Sequence, residues 1–239
     1  MKRLTEAWFS YAGKRSDEMG ILLTGMPTRN HPAANGTYEV VPGRDGRLWF
    51  PDGTYDQMAV RINCVTDGSV SIDEINAWLS GSGELIFSDE PDRAYRARVT
   101  KEFARASKIA RMDAQEFPVT WDCDPYRYLY PAEAAQTVSN GGSIVNPGAK
   151  SLPRITIAGS GDVALLVGTQ LVEIEGMEDG IIIDSEQKDA INFSDGLTLE
   201  NEKIALDEFP VLNPGANMIS WTGEGTITSL SILPRWRYL

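Results

Sequence analysis

Histidine is almost absent from this chain: His31 is the one imidazole in 239 residues, and it sits between Asn30 and Pro32. Nucleophilic sites of the Ser-His-Asp or Cys-His kind need an imidazole to take the nucleophile's proton, and no GxSxG elbow accompanies His31. Cysteine is nearly as scarce. Cys64 and Cys123 belong to no CxxC pair, so neither a disulfide framework nor a His/Cys metal site is expected, and two buried thiols is the simple reading. The acidic loops lack the spacing of an EF-hand. Gly81-Ser82-Gly83 and Gly159-Ser160-Gly161 are followed by neither Lys-Ser/Thr nor a helix start, and they read as turns rather than phosphate loops. Paired carboxylates remain, because glycoside hydrolysis needs no imidazole. Of the two candidates, Glu173/Glu175 alternates with Val172 and Ile174, which sends both acids to solvent, and Asp122/Asp124 lies at an expected strand end. No catalytic, metal or cofactor site is expected. The sequence points to a protein that works through contacts.

Long apolar runs are missing as well. Val163 to Val167 and Ile181 to Ile183 fall far short of the roughly 20 residues that cross a bilayer, and no apolar stretch follows the basic start at Lys2-Arg3. Membrane insertion and export are therefore not expected, and the sequons at Asn35 and Asn192 carry little weight. Positive charge is also in deficit. With 22 basic against 34 acidic side chains the net charge is -12, which opposes binding to a phosphate backbone. The deficit is uneven: residues 1–133 hold 16 basic and 20 acidic side chains (-4), and residues 134–239 hold 6 and 14 (-8).

What is present is β pattern. Met19 to Thr24, Tyr38 to Val41, Met58 to Val65, Glu84 to Ser88 and Tyr95 to Val99 read as short strands divided by Gly, Asp and Pro. Gly43-Arg44-Asp45-Gly46 marks a hairpin, and Asp52-Gly53 and Asp67-Gly68 read as two further turns. Ser71 and Glu74 have capping-box spacing, and behind them Ile72, Ile75, Trp78 and Leu79 define one short helix that Gly81 closes. The small, turn-rich stretch from Ala132 to Lys150 marks a domain boundary, placed at 133/134. Beyond it Arg154 to Ile157, Val163 to Val167, Leu171 to Glu175, Gly180 to Asp184 and Thr226 to Ile232 are strand-like, with Gly159-Ser160-Gly161 read as a turn between the first two. The expected fold is mainly β, an N-terminal β domain with one capped helix followed by an antiparallel β-sandwich.

Two features stand out as contact surfaces. Residues 93–111 hold Arg93, Arg96, Arg98, Lys101, Arg105, Lys108 and Arg111 with Glu102 the single acid among them. Alternation puts Arg96 and Arg98 on one face of a strand, either as a basic interface for an acidic neighbour or as a solvated face. The run has too few interleaved aromatics, Tyr95 and Phe103, for a base-stacking platform, so nucleic acid is not an expected ligand. Trp221 reads either as a core residue or as an exposed indole for stacking on sugar, and the core reading weighs more because Trp is mostly buried.

The order of these features is specific where each alone is weak. Phe9-Ser10-Tyr11-Ala12-Gly13-Lys14, Asp17-Glu18-Met19-Gly20-Ile21, Val41-Pro42-Gly43-Arg44-Asp45-Gly46, Gly53-Thr54-Tyr55, Ile75-Asn76-Ala77-Trp78-Leu79 and Gly83-Glu84-Leu85-Ile86-Phe87 follow one another along the first half. Asp124-Pro125-Tyr126-Arg127-Tyr128, Phe209-Pro210-Val211-Leu212-Asn213-Pro214-Gly215 and Ile232-Leu233-Pro234-Arg235-Trp236-Arg237 complete the set. The series resembles the siphophage (or prophage) distal tail protein family over nearly the whole chain. That resemblance implies a virion structural protein, made and assembled in the host bacterial cytoplasm, that forms a ring, typically a hexamer, at the distal tip of a long non-contractile tail. The first domain (1–133) would close the ring and join the tail tube. The second (134–239), a galectin-like sandwich, would project outward and carry tail-tip or receptor-binding proteins. Arg93, Arg96, Arg98 and Lys101 would then serve the subunit interface. The competing expectation is a carbohydrate-binding module acting through Trp221, although galectins place a His beside their stacking Trp and this half has none.

Overall fold

The computed structural model describes residues 7–100 and 115–239. Lys101, Arg105, Lys108 and Arg111 lie outside the described residues. The chain forms two compact units, one reaching to Tyr130 and taking in Leu239, the other Pro131–Tyr238.

In the first unit the strands are β1 (Phe9–Tyr11), β2 (Lys14–Arg15), β3 (Ile21–Leu23), β4 (Thr28–Arg29), β5 (Ala34–Glu39), β6 (Leu48–Tyr55), β7 (Met58–Thr66), β8 (Ser82–Phe87), β9 (Glu90–Val99) and β10 (Gln115–Leu129), with helix α1 (Ile72–Trp78) between β7 and β8. An antiparallel sheet runs in the order β2-β1-β8-β9-β10-β7-β3, with β4 also on β7. Period-two burial along β7, from Met58 through Val60, Ile62 and Cys64 to Thr66, turns one face inward. Helix α1 closes that face. Ser71 accepts from the Glu74 amide and Glu74 reaches back to the Ser71 amide, so the capping box is formed as the spacing predicts. The helix delivers Ile75, Trp78 and Leu79 into a core that contains Phe9, Tyr11, Phe87 and Trp121. Phe9 stacks on Trp78 at 5.6 Å and meets Trp121 edge-on at 5.1 Å, while Trp78 Nε1 donates to the Tyr11 carbonyl at 2.8 Å.

The second unit contains β11 (Gln136–Thr137), β12 (Gly142–Asn146), β13 (Arg154–Val167), β14 (Gln170–Met177), β15 (Gly180–Asp184), β16 (Asp189–Asn192), β17 (Ile204–Ala205), β18 (Gly215–Thr222) and β19 (Thr226–Leu233). All named pairings are antiparallel, and two sheets enclose Ile155, Ile157, Leu165, Val172, Ile174, Ile183 and Ile219. The mainly β fold with one capped helix and a sandwich is as expected.

Three local expectations need correction. Gly159-Ser160-Gly161 is no chain reversal. It is a bend inside one 14-residue strand, β13, whose first half pairs with β15 and β19 and whose second half pairs with β14 and β18. Asp52-Gly53 lies within β6, where Gly53 takes φ +80° and the register against β5 slips between Ala34 and Gly36. Trp121-Asp122-Cys123-Asp124 sits in the middle of β10 rather than at a strand end, with a register shift just beyond, between Cys123 and Arg127.

Candidate interaction surfaces

The residue types that do chemistry are dispersed. His31 is exposed, and its Nδ1 lies 2.9 Å from the carbonyl oxygen of neighbouring Pro32. Among the described residues no group of three His, Cys, Asp or Glu is gathered to hold a metal. Both thiols are buried, and burial pushes Cys64 and Cys123 up to about 12, the opposite of what a nucleophilic or metal-binding thiol requires. Glu173 and Glu175 face solvent while Val172 and Ile174 are buried, as their alternation predicts.

Asp122 and Asp124 share the outward face of the first unit's sheet with the basic residues of β9. Register sets Arg98 opposite Asp122 on one side and Ser82 on the other, and sets Arg96 opposite Glu84. Arg96 and Arg98 are exposed, as their alternation with buried Ala97 predicts, and the Arg96 guanidinium lies 4.2 Å over the Tyr128 ring. Arg93 pairs with Asp92 at 2.6 Å. Together Glu84, Arg96, Arg98, Asp122 and Asp124 line a surface depression of about 510 Å³. This face is a mosaic of both signs rather than a basic patch.

Trp221 is half-buried on β18 and faces the sandwich interior. Its register partner is Leu165, which is fully buried, and it follows inward-facing Asn217 and Ile219 at period two. Asn140 clamps its backbone, accepting from the Trp221 amide at 2.9 Å and donating to the Trp221 carbonyl at 2.8 Å.

Two apolar surfaces escape a reading for chemistry. The first is the hairpin of β5 and β6, which forms a sheet of its own. Both of its faces are open, with Tyr38 63%, Val40 71%, Val41 38%, Trp49 38% and Phe50 49% exposed, and Tyr38 packs against Trp49 at 4.6 Å. Gly36 is required there, because a Cβ would overlap the Phe50 carbonyl oxygen. A signal existed in the sequence: six large apolar residues crowd the four-residue turn Gly43–Gly46, too many for a solvated hairpin. The second is the segment after β16, where Phe193, Leu197 and Leu199 are 36%, 84% and 56% exposed.

No family model and no curated protein matches the sequence. A solved structure does resemble it: the crystal structure of the SPP1 Dit protein, described as a paradigm of the hub adsorption apparatus in phages that infect Gram-positive bacteria. The TM-score is 0.73 at 14% identity, over 98% of this chain and 99% of that one. At that identity the likeness is one of fold, and it spans both units: this chain has the fold of a siphophage Dit protein from end to end.

Proposed function

We propose that this chain is a structural protein of the phage tail, whose copies close into a ring, most simply a hexamer, at the distal tip of a long non-contractile tail. The single observation carrying this reading is the end-to-end fold likeness to a hub adsorption protein, with neither unit left over on either side. In this role the chain joins the tail tube to tail-tip and receptor-binding proteins and is assembled in the host cytoplasm before it becomes part of the virion. The first unit is the ring-forming one.

The hairpin of β5 and β6 is the favoured ring contact. A free two-stranded hairpin is marginally stable in water, and this one carries exposed aromatics on strands that pair with no third strand among the described residues. A neighbouring subunit would cover it. Arg93, Arg96 and Arg98 are the second candidate, weaker because acids of the same sheet already stand beside them. Native mass spectrometry and negative-stain imaging of the full chain decide the matter. The expected result is a closed ring that Trp49→Asp with Phe50→Asp reduces to monomer, while Arg96→Glu with Arg98→Glu has the smaller effect. A strict monomer at high concentration, with no rings on addition of tail-tube protein, would overturn the reading. Sugar binding through Trp221 is disfavoured by its inward position. Titration with host wall polysaccharide, comparing the parent with Trp221→Ala, checks that alternative.

A further inference from the structure

The segment between β16 and β17 has an unusual combination of order and exposure. Asn192 Oδ1 accepts from the Ser194 and Asp195 amides at 2.9 and 3.1 Å, and Asp195 Oδ1 accepts from the Leu197 and Thr198 amides at 2.9 and 3.0 Å. Thr198 Oγ1 donates to Asp195 Oδ2 at 2.6 Å, and Leu199 bridges to Ile191. Two successive side-chain-closed turns therefore fix the backbone. What this rigid loop presents is apolar: Leu197, at 84% the most exposed large hydrophobic side chain among the described residues, with Leu199 and Phe193 beside it in sequence. Single exposed leucines are ordinary, but three apolar side chains on a loop already ordered avoid most of the entropy cost of docking.

The electrostatic surroundings say what would cover it. Asp179 accepts from Ser194 Oγ at 3.4 Å, Glu200 holds Asn192 and Lys203, and Glu178 and Glu202 bear on Lys203. With Asp195 these carboxylates outnumber the cation among them, in a half of the chain that carries -8. An apolar projection in an acidic field is complementary to a hydrophobic pocket rimmed by Lys or Arg.

We infer that the Phe193–Leu199 loop is a preformed docking knob, with Leu197 its anchor, for a tail protein that offers an apolar pocket with a basic rim. This rests on the tail reading above and names the surface of the second unit that would carry a partner.

A photo-crosslinking residue placed at position 197 of the full chain, in assembled phage particles, tests it. The expected product joins this chain to a different tail protein, at a pocket bordered by Lys or Arg on that protein. Because an anchor in a packed pocket is worth about 2 kcal/mol or more, Leu197→Glu should lower affinity for the partner roughly thirtyfold while the ring persists. Glu178→Lys with Glu202→Lys should weaken the same contact, most at low salt. A crosslink to a second copy of this chain overturns the inference, as does a silent position 197 in particles that contain the chain. A chain absent from the particles overturns the tail reading, and the knob's assignment with it.

Discussion

Asp184 shows how much one side chain can hold in the second unit. It is 1% exposed at the end of β15, and Arg235 meets it with two hydrogen bonds of 2.7 and 2.8 Å. Its Oδ1 also accepts from the Glu186 and Gln187 amides, and Glu186 stands 3.3 Å from the same arginine. Burial pushes this carboxyl upward, but the Arg235 guanidinium and the two amides outweigh it and hold it below the usual carboxylate range. A carboxyl lowered in the folded state stabilises fully above its unfolded value of 3.8, and that contribution is lost as pH falls through the lower folded value. Asp184→Asn would keep the shape and remove the charge that Arg235 and, at 4.0 Å, Arg154 face. We expect a loss of about 3 kcal/mol at pH 7 in denaturant unfolding, shrinking towards acid pH, since breaking a buried pair strands the remaining charge. A cost under about 0.5 kcal/mol, as surface pairs show, would contradict this account.

Among the elements, β13 is where sequence reasoning and structure part most clearly. Glycine announces backbone freedom, and at Gly159-Ser160-Gly161 that freedom suits a reversal by local sequence, whereas it serves a bend shared by two sheets. Which use applies depends on partner strands far along the chain, and these leave no local mark. Asp52-Gly53 misleads for the same reason: a bulge and a turn draw on one residue type. Helix α1 was legible because its signals are local, a capping box and a 3.6-residue apolar period within nine residues. Buried alternation along β7 and β14 was legible too. The hairpin's apolar faces and the Leu197 loop were present as composition, but exposure is a property of what the rest of the chain fails to cover, so the sequence does not show it. The bend makes a sharp prediction. A Cβ at Gly159 would overlap the Thr226 carbonyl oxygen and press on Ile227, both backbone, so no side-chain rearrangement relieves it. Gly159→Ala should cost about 2 kcal/mol, seen as a lower denaturation midpoint, whereas Gly176→Ala, with nothing near its Cβ, should cost only the strain of its φ of +62°.

For the molecule as a whole, charge is the property that composition fixes most firmly. At -12 overall, with the arginines of β9 standing among acids of their own sheet, the described residues present no broad basic field to hold a phosphate backbone. In a mobility-shift assay at roughly 50 mM salt, where counterion release favours binding most, duplex DNA should remain unshifted. A salt-sensitive complex would place a cationic surface where the described residues offer none. Indifference to DNA is what the proposed tail role requires.

One strand carries a mechanical meaning for the second unit. Because β13 contributes one half to each sheet of the second unit, it is laced to four neighbours along its length. A pull between virus and cell directed along this strand would load those backbone hydrogen bonds together, in shear, instead of peeling them one by one. The sheets cannot then yield separately, and in the proposed tail role the unit should resist traction as a single rivet.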